Sequence, residues 1–293
     1  MAMAALPDAA LVIVDGLAFG AMPEIAEAEA RRLRLIGLVH HPLALETGLD
    51  AQQALAFRQA ERRALATTRG VIVTRAATRR TLLEYAVPSQ RVTVIEPGTA
   101  AAPVAAGSGA GALALLCVAS LSPRKGHDVL FAALSGLKDH AWHLTCIGGT
   151  VGDDTILSRL RAGLDESGLT DRVRFAGEGD DAVVGAAYSA ADLFVLPTRY
   201  EGYGMVVAEA LARGLPVVST HTGAIPELVG EHAGIVVPPG DTDALQAALR
   251  SVLEQPSRLK SLRQGALAAR ERLPRWQDSV GKLSAVLEGM LQS

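Results

Sequence analysis

The sequence predicts an α/β protein built from two doubly wound, parallel sheets, and three observations carry that reading. Short β-rich runs alternate with longer helical patterns from one end of the chain to the other. Most of these runs are unbroken apolar stretches, as strands covered on both faces require. A small-residue, uncharged stretch then divides the chain into a shorter and a longer part.

In the shorter part the expected strands are Leu11–Val14, Leu35–Val39, Val71–Thr74 and Val92–Ile95. The stretch PGTAAAPVAAGSGAG, Pro97 to Gly111, reads as a flexible linker because it lacks charge and is rich in small residues. Beyond it, strands are expected at Leu113–Val118, His143–Ile147, Val173–Phe175, Leu193–Leu196, Val217–Ser219 and Gly234–Val236. Between strands the pattern turns helical: in Asp241–Leu253, residues Leu245, Ala248, Leu249, Val252 and Leu253 recur at helical spacing. Strand, helix, strand repeated in this way means βαβ units and parallel sheets. A last helix, Trp276–Leu291, follows Pro274. The expected boundaries are residues 1–100 for the first domain, 101–111 for the linker, 112–274 for the second domain, and 275–293 for a helix packing back towards the first. Two such sheets place a ligand in the cleft between them, at the carboxyl ends of the strands.

The 293 residues are 49% hydrophobic and 20% charged, with a formal net charge of −3, which suits a buried core and gives no global attraction to nucleic acid. Cys117 and Cys146 lie in apolar runs and are expected as two buried thiols in neighbouring strands. The opening MAMAALPDAALVIVDG lacks the basic start and long apolar core of a signal peptide. The expected location is cytoplasmic, with peripheral contact at the inner face of the membrane as an option. Residues 58–80 carry seven arginines against Glu61 alone; solvated helix faces are the preferred reading over contact with anionic lipid.

The stretch LPTRYEGYGMVVAEALARGLPVVST, Leu196 to Thr220, is the most informative. A strand ends, a loop with Gly202 and Gly204 opens a helix, and Gly214 stops it as a left-handed cap. The helix entrance offers free N–H groups and the positive end of its dipole to a diphosphate. Glu201 in the loop and Glu209 on the helix are two carboxylates that suit sugar hydroxyls, although each also reads as a solvent-facing charge. The D-x-D of Asp241 and Asp243 reads as a helix cap and not as a metal site. No metal and no cofactor is expected. A nicotinamide dehydrogenase is disfavoured because no glycine-rich fingerprint follows the first strand.

EGYGMVVAEALARGLPVV resembles the E-x7-E signature of retaining, family-four-type glycosyltransferases. The resemblance extends to VASLSPRKGHDVLFAAL (a phosphate-binding segment), DRVRFAG (the base-binding region), YSAADLFVLP, HTGAIPELV and AGIVVPPGDTDAL, in the family's order. It implies a GT-B-like architecture of two Rossmann-like domains, the N-terminal one binding the acceptor and the C-terminal one a nucleotide-sugar donor. It also implies transfer of a hexosyl group with retention of configuration, without a metal or a covalent protein nucleophile. By position, Glu209 would hold the ribose, Glu201 the sugar hydroxyls, and Gly202, Tyr203 and Gly204 the sugar and phosphate through backbone N–H groups. Lys125 would neutralise the diphosphate. Ser120 stands where the family carries an arginine, and Arg124 beside the lysine is expected to share its task. Gly177 closes the base-binding segment, and His40, preferred over His41, resembles the histidine that contacts the donor sugar from the first domain. The catalytic set is therefore His40, Lys125 and Glu201.

Relatives carry a further strand, a glycine-rich loop and more βαβ material ahead of the region where this sequence starts, so the first domain is expected to be incomplete. An exposed sheet edge, and with it self-association, is expected there. The alternative to an active transferase is a nucleotide-sugar-binding module with weak or no turnover for want of that loop. An epimerase or sugar phosphorylase is a third option that the signature disfavours. The acceptor is a sugar, a lipid-linked sugar or a small molecule.

Overall fold

The structure, a computed structural model, describes residues 3–46, 49–109, 111–150 and 155–292. All ten expected strands form: β1 (Leu11–Asp15), β2 (Arg34–Val39), β3 (Gly70–Val73), β4 (Val92–Val94), β5 (Leu113–Val118), β6 (Trp142–Ile147), β7 (Val173–Phe175), β8 (Leu193–Leu196), β9 (Val217–Thr220) and β10 (Gly234–Val237). They build a four-stranded sheet in the order β1-β2-β3-β4 and a six-stranded sheet in the order β10-β9-β8-β5-β6-β7, every pairing parallel. The chain divides into two compact units, residues 1–98 with 274–293, and residues 99–273.

In the first unit, alternate residues of the strands feed opposite faces of the sheet. Leu35 and Val39 of β2, with Val71 and Val73 of β3, pack against Phe19, Leu65 and Leu82. Ile36 and Ile72, with Ile95, form the other face, and Leu283, Val286, Leu287 and Met290 of helix Trp276–Gln292 cover it. That helix is pinned at both ends: Ser279 Oγ donates to the Glu96 carbonyl (2.7 Å), and Arg34 Nη1 donates to the Leu291 carbonyl (2.9 Å). β1 pairs with β2 alone among the described strands, and its Ile13 is 40% exposed. Several arginines of residues 58–80 are tied down: Arg63 by Glu24 and Glu27, and Arg58 by Glu84. Glu61 is not on the surface; it is buried at 1% exposure.

In the second unit, β8 and β9 are buried at every position, as their apolar runs require. Cys117 and Cys146 are register partners in β5 and β6, both buried. The strand order reverses direction between β5 and β8. Connections from β5 run outward to β6 and β7, whereas β8 leads to β9 and β10 on the opposite side. Such a switch point opens a crevice at the carboxyl ends of the two central strands.

The stretch expected as a flexible linker is instead docked on this unit. Ala105 N donates to the Arg213 carbonyl (2.8 Å), and Gly107 N to the Ser189 carbonyl (3.0 Å). Asp192 accepts from Ser108 N (3.0 Å), Ser108 Oγ (2.7 Å) and Ala114 N (2.9 Å). Small side chains let the backbone lie close enough to pair, so the feature that reads as looseness in the sequence produces attachment. Ala110, part of the expected linker, lies outside the described residues. Asp241 caps helix Thr242–Glu254 by accepting from Ala244 N (2.9 Å), as expected for that aspartate. Among the described residues, no helix is long and apolar enough to cross a membrane.

Candidate functional site

The loops that leave β5 and β8 meet at the switch point. After β5 the chain passes Ser120 and makes a short 3-10 turn, Pro123–Lys125, closed by Gly126 in the left-handed region (φ 72°). A Cβ on Gly126 would lie 2.1 Å from the Pro197 carbonyl oxygen, so only glycine allows the two loops this approach. Three hydrogen bonds bind them: Arg199 N to the Arg124 carbonyl (2.7 Å), Thr198 Oγ1 to the same carbonyl (3.1 Å), and Arg124 Nη1 to the Tyr200 carbonyl (3.0 Å). Arg199 adds a bidentate pair to Asp128, with bonds of 2.9 and 2.7 Å.

This frame places Lys125 Nζ 2.5 Å from Glu201 Oε2, with the two side chains only 11% and 14% exposed. Desolvation takes back much of the Coulomb gain of a pair buried this deeply, so its contribution to stability is modest, while removing either partner leaves an uncompensated charge. Glu201 Oε1 also accepts from Gly202 N (3.3 Å). From the far side, Gly223 (φ 59°) presses on the same loop; a Cβ there would lie 2.1 Å from the Glu201 carbonyl.

The loop ends at Gly204 (φ 91°), which caps helix Met205–Ala212 with no side chain to spend on its first amides. The helix begins at Met205, directly after Gly204, so Glu209 is its fifth residue. Tyr203 is 7% exposed and packs with Ala208 and Ala224, which fixes the turn between the two glycines. Gly214 (φ 67°) ends the helix as expected.

Glu209 belongs to a second cluster. Tyr188 Oη donates to its Oε2 (3.2 Å) and to the Val206 carbonyl (3.0 Å). Arg213 donates to the Glu209 carbonyl (3.0 Å) and stacks its guanidinium 4.5 Å from the centre of the Tyr188 ring. Burial raises the Glu209 carboxyl above its ordinary range, against the lowering effects of the Tyr188 hydroxyl and Arg213. Burial likewise pushes the Tyr188 phenol well up, and the Glu209 charge adds to it. Tyr188 and Arg213 are missing from the residues singled out in the sequence. Arg213 could have been found from its spacing, four residues after Glu209, whereas nothing in the sequence ties Tyr188, 21 residues earlier, to that carboxylate.

Ser120 and Gly177 sit at the ends of the central and outer strands. Ser120 follows β5 by two residues, and the Gly177 carbonyl, after β7, accepts from Gly148 N (2.8 Å). In the first unit, His40 follows β2 directly; its Nε2 lies 3.7 Å from Asp15 Oδ2 at the end of β1, and both side chains are about half exposed. His41 turns instead to Glu46, at 2.5 Å.

Residues 112–255 match the family described as glycosyl transferases group 1. A D-inositol 3-phosphate glycosyltransferase of Thermobispora bispora is 31% identical over 232 residues, covering 73% of this chain and 54% of that protein. The chain spans about half the length of the curated relatives it matches. A sucrose-phosphate synthase structure from Thermosynechococcus elongatus superposes with a TM-score of 0.83 at 23% identity, covering 96% of this chain and 74% of that one. Anabaena HepE in complex with UDP and glucose gives a TM-score of 0.81 at 22% identity, over 95% of this chain and 77% of its own.

Tyr188→Phe removes a donor that lowers the Glu209 carboxyl, so that carboxyl is expected to titrate higher still. A folded-state value above the unfolded one means stability is lost as pH rises through the interval between them. The variant therefore loses stability over a window extending further upward, beside a general loss of about 1 kcal/mol for the missing hydrogen bond. Melting temperatures across the acid-to-neutral range check this; parallel curves for the two proteins would contradict it. By that match and these relatives, residues 112–255 belong to the glycosyl transferases group 1 family, on a GT-B-type fold.

Proposed function

We propose that the chain transfers a hexosyl group from a nucleoside diphosphate sugar to an acceptor hydroxyl with retention of configuration. The observation that carries this is the Lys125–Glu201 pair at the switch point, beside a helix entrance capped by glycine. A diphosphate has the charge to draw the lysine away from the carboxylate, and the sugar it carries offers hydroxyls to the carboxylate that is released. Lys125 then stabilises the leaving diphosphate, with Arg124 at the same turn, as a metal ion does in other folds. Gly202, Tyr203 and Gly204 turn their backbone towards the phosphate and sugar, and Glu209 accepts from the ribose hydroxyls. Ser120 and Gly177, at strand ends of the same unit, border the phosphate and the base.

In the chemical step, the bond from the anomeric carbon to the phosphate oxygen breaks and the bond to the acceptor oxygen forms on the same face. The acceptor's proton passes to the departing phosphate oxygen. No side chain forms a bond to the sugar, and His40 acts on the donor sugar by hydrogen bonding. The names of the relatives, a D-inositol 3-phosphate glycosyltransferase and a lipopolysaccharide core biosynthesis mannosyltransferase among them, support a sugar, lipid-linked sugar or small molecule as the acceptor class. The β1 edge, which pairs with β2 alone among the described strands, supports self-association of the first unit. Sedimentation analysis of wild type and Ile13→Lys is expected to give a dimer and a monomer; a monomeric wild type would overturn that.

Thermal unfolding with UDP, GDP and ADP tests the donor site. One nucleotide is expected to raise the melting temperature at concentrations about a hundred times its Kd, by the equivalent of about 2.7 kcal/mol, and Glu209→Ala is expected to abolish the effect. Release of that nucleotide from the matching sugar conjugate in the presence of acceptor establishes transfer. Binding without release favours a nucleotide-sugar-binding module, and no stabilisation by any nucleotide overturns the reading.

A further inference from the structure

Glu61 is the single acidic residue in the arginine-rich stretch 58–80, and it is buried at 1% exposure in the first unit. It projects from helix Ala51–Ala66 under the loop that leaves β2. The Leu43 N–H donates to both its oxygens, at 3.0 Å and 3.1 Å, and the Ala44 amide adds a further bond. These are the first amides of the 3-10 turn Leu43–Leu45, whose preceding residue, Pro42, has no side-chain acceptor to cap them. Gly20 makes room for the carboxylate: a Cβ there would lie 3.1 Å from Glu61 Cγ. The charged groups on the surrounding elements are engaged elsewhere. On its own helix Arg58 pairs with Glu84 and Arg63 with Glu24 and Glu27, while Arg62 is exposed. In the loop His41 pairs with Glu46, and Asp15, before helix Gly16–Gly20, faces His40.

We propose that Glu61 is a positioning residue: its carboxylate caps the Leu43–Leu45 turn from outside and thereby fixes the path of the chain that carries His40. The geometry has the right reach. His40 and His41 occupy the two positions between the end of β2 and Pro42, and the Thr78 hydroxyl holds the His40 carbonyl from the other side (3.3 Å). An ionised carboxylate offers two charged acceptor oxygens to the amides, whereas a protonated one keeps only its neutral carbonyl oxygen as a good acceptor. Burial raises this carboxyl to about 7, against the lowering effect of the Leu43 and Ala44 amides, so the clamp changes state in the neutral range. Because that value lies above the ordinary carboxylate range, the ionised clamp costs stability. The contribution of Glu61 to stability is therefore greatest below the ordinary carboxylate range and is lost as pH rises to about 7.

The functional consequence rests on the reading of His40 given above, and the test separates the two. Glu61→Gln keeps the shape but presents one acceptor oxygen and no charge. At pH 8 the variant is expected to melt no lower than wild type, while hydrogen exchange of the Leu43–Glu46 amides speeds up about tenfold, the loss expected for a hydrogen bond to a charged group. Turnover of the nucleotide sugar is expected to fall about tenfold with KM for the donor within twofold, whereas a merely structural role would lower melting temperature and turnover together. In wild type, exchange protection of Leu43 and Ala44, corrected for intrinsic rates, is expected to fall as pH drops through about 7, and this holds whether or not the variant folds. Unchanged exchange in Glu61→Gln, or flat protection in wild type across that range, overturns the clamp. If His40→Ala leaves turnover unaltered, the role of His40 fails, and the exchange data still decide for or against Glu61.

Discussion

Two loops carrying opposite charges are brought within contact at the point where the six-stranded sheet reverses its winding, and they meet in the Lys125–Glu201 pair. Everything around it serves that approach. β5 and β8 lie side by side, so their carboxyl ends open together. Gly126 lets the β5 loop touch the Pro197 carbonyl, Arg124 and Thr198 stitch the loops, and Gly223 supports the Glu201 backbone from behind. A pair so nearly buried contributes little net stability, since desolvation offsets attraction. Its value is organisational: each charge keeps the other in place in a region where neither could remain alone.

The two glutamates of the E-x7-E spacing end in different environments although they are eight residues apart. Glu201 is in direct contact with a cation, whereas the Glu209 carboxylate accepts from a neutral phenol, with the Arg213 charge close by. The first arrangement suits exchange, because an arriving diphosphate competes for the lysine. The second suits a fixed acceptor, since Tyr188 is held by Arg213 stacking and by the Val206 carbonyl, and thereby orients the carboxylate. One site thus combines a part that rearranges with a part that stays.

Much of this was legible in the sequence because strands covered on both faces must be apolar throughout, and runs such as Leu193–Leu196 and Val217–Thr220 are. The positions of Gly204 and Gly214 around helix Met205–Ala212 followed from turn and cap chemistry. Strand order was not legible, because it depends on which βαβ unit crosses to which side, and the switch point that makes the site therefore appeared only in the structure. The stretch after Pro97 was misread for a related reason. Small uncharged residues permit both looseness and close backbone docking, and the choice is made by Asp192 and Arg213, far along the chain. Glu61 was obscured by its neighbours: seven arginines in one stretch mark a solvated face, and nothing in one dimension separates the one position that turns inward.

Calorimetric titration of Lys125→Ala, Glu201→Ala and the double variant, with a nucleoside diphosphate and with its sugar conjugate, tests whether the Lys125–Glu201 pair is the donor site. Lys125→Ala is expected to weaken both ligands by about tenfold or more, the loss of a charge-assisted contact to phosphate. Glu201→Ala should weaken only the sugar conjugate, and should leave the plain diphosphate bound as well or better because the lysine is released. Equal losses for both ligands in both variants, or no binding to the wild-type chain, would contradict it.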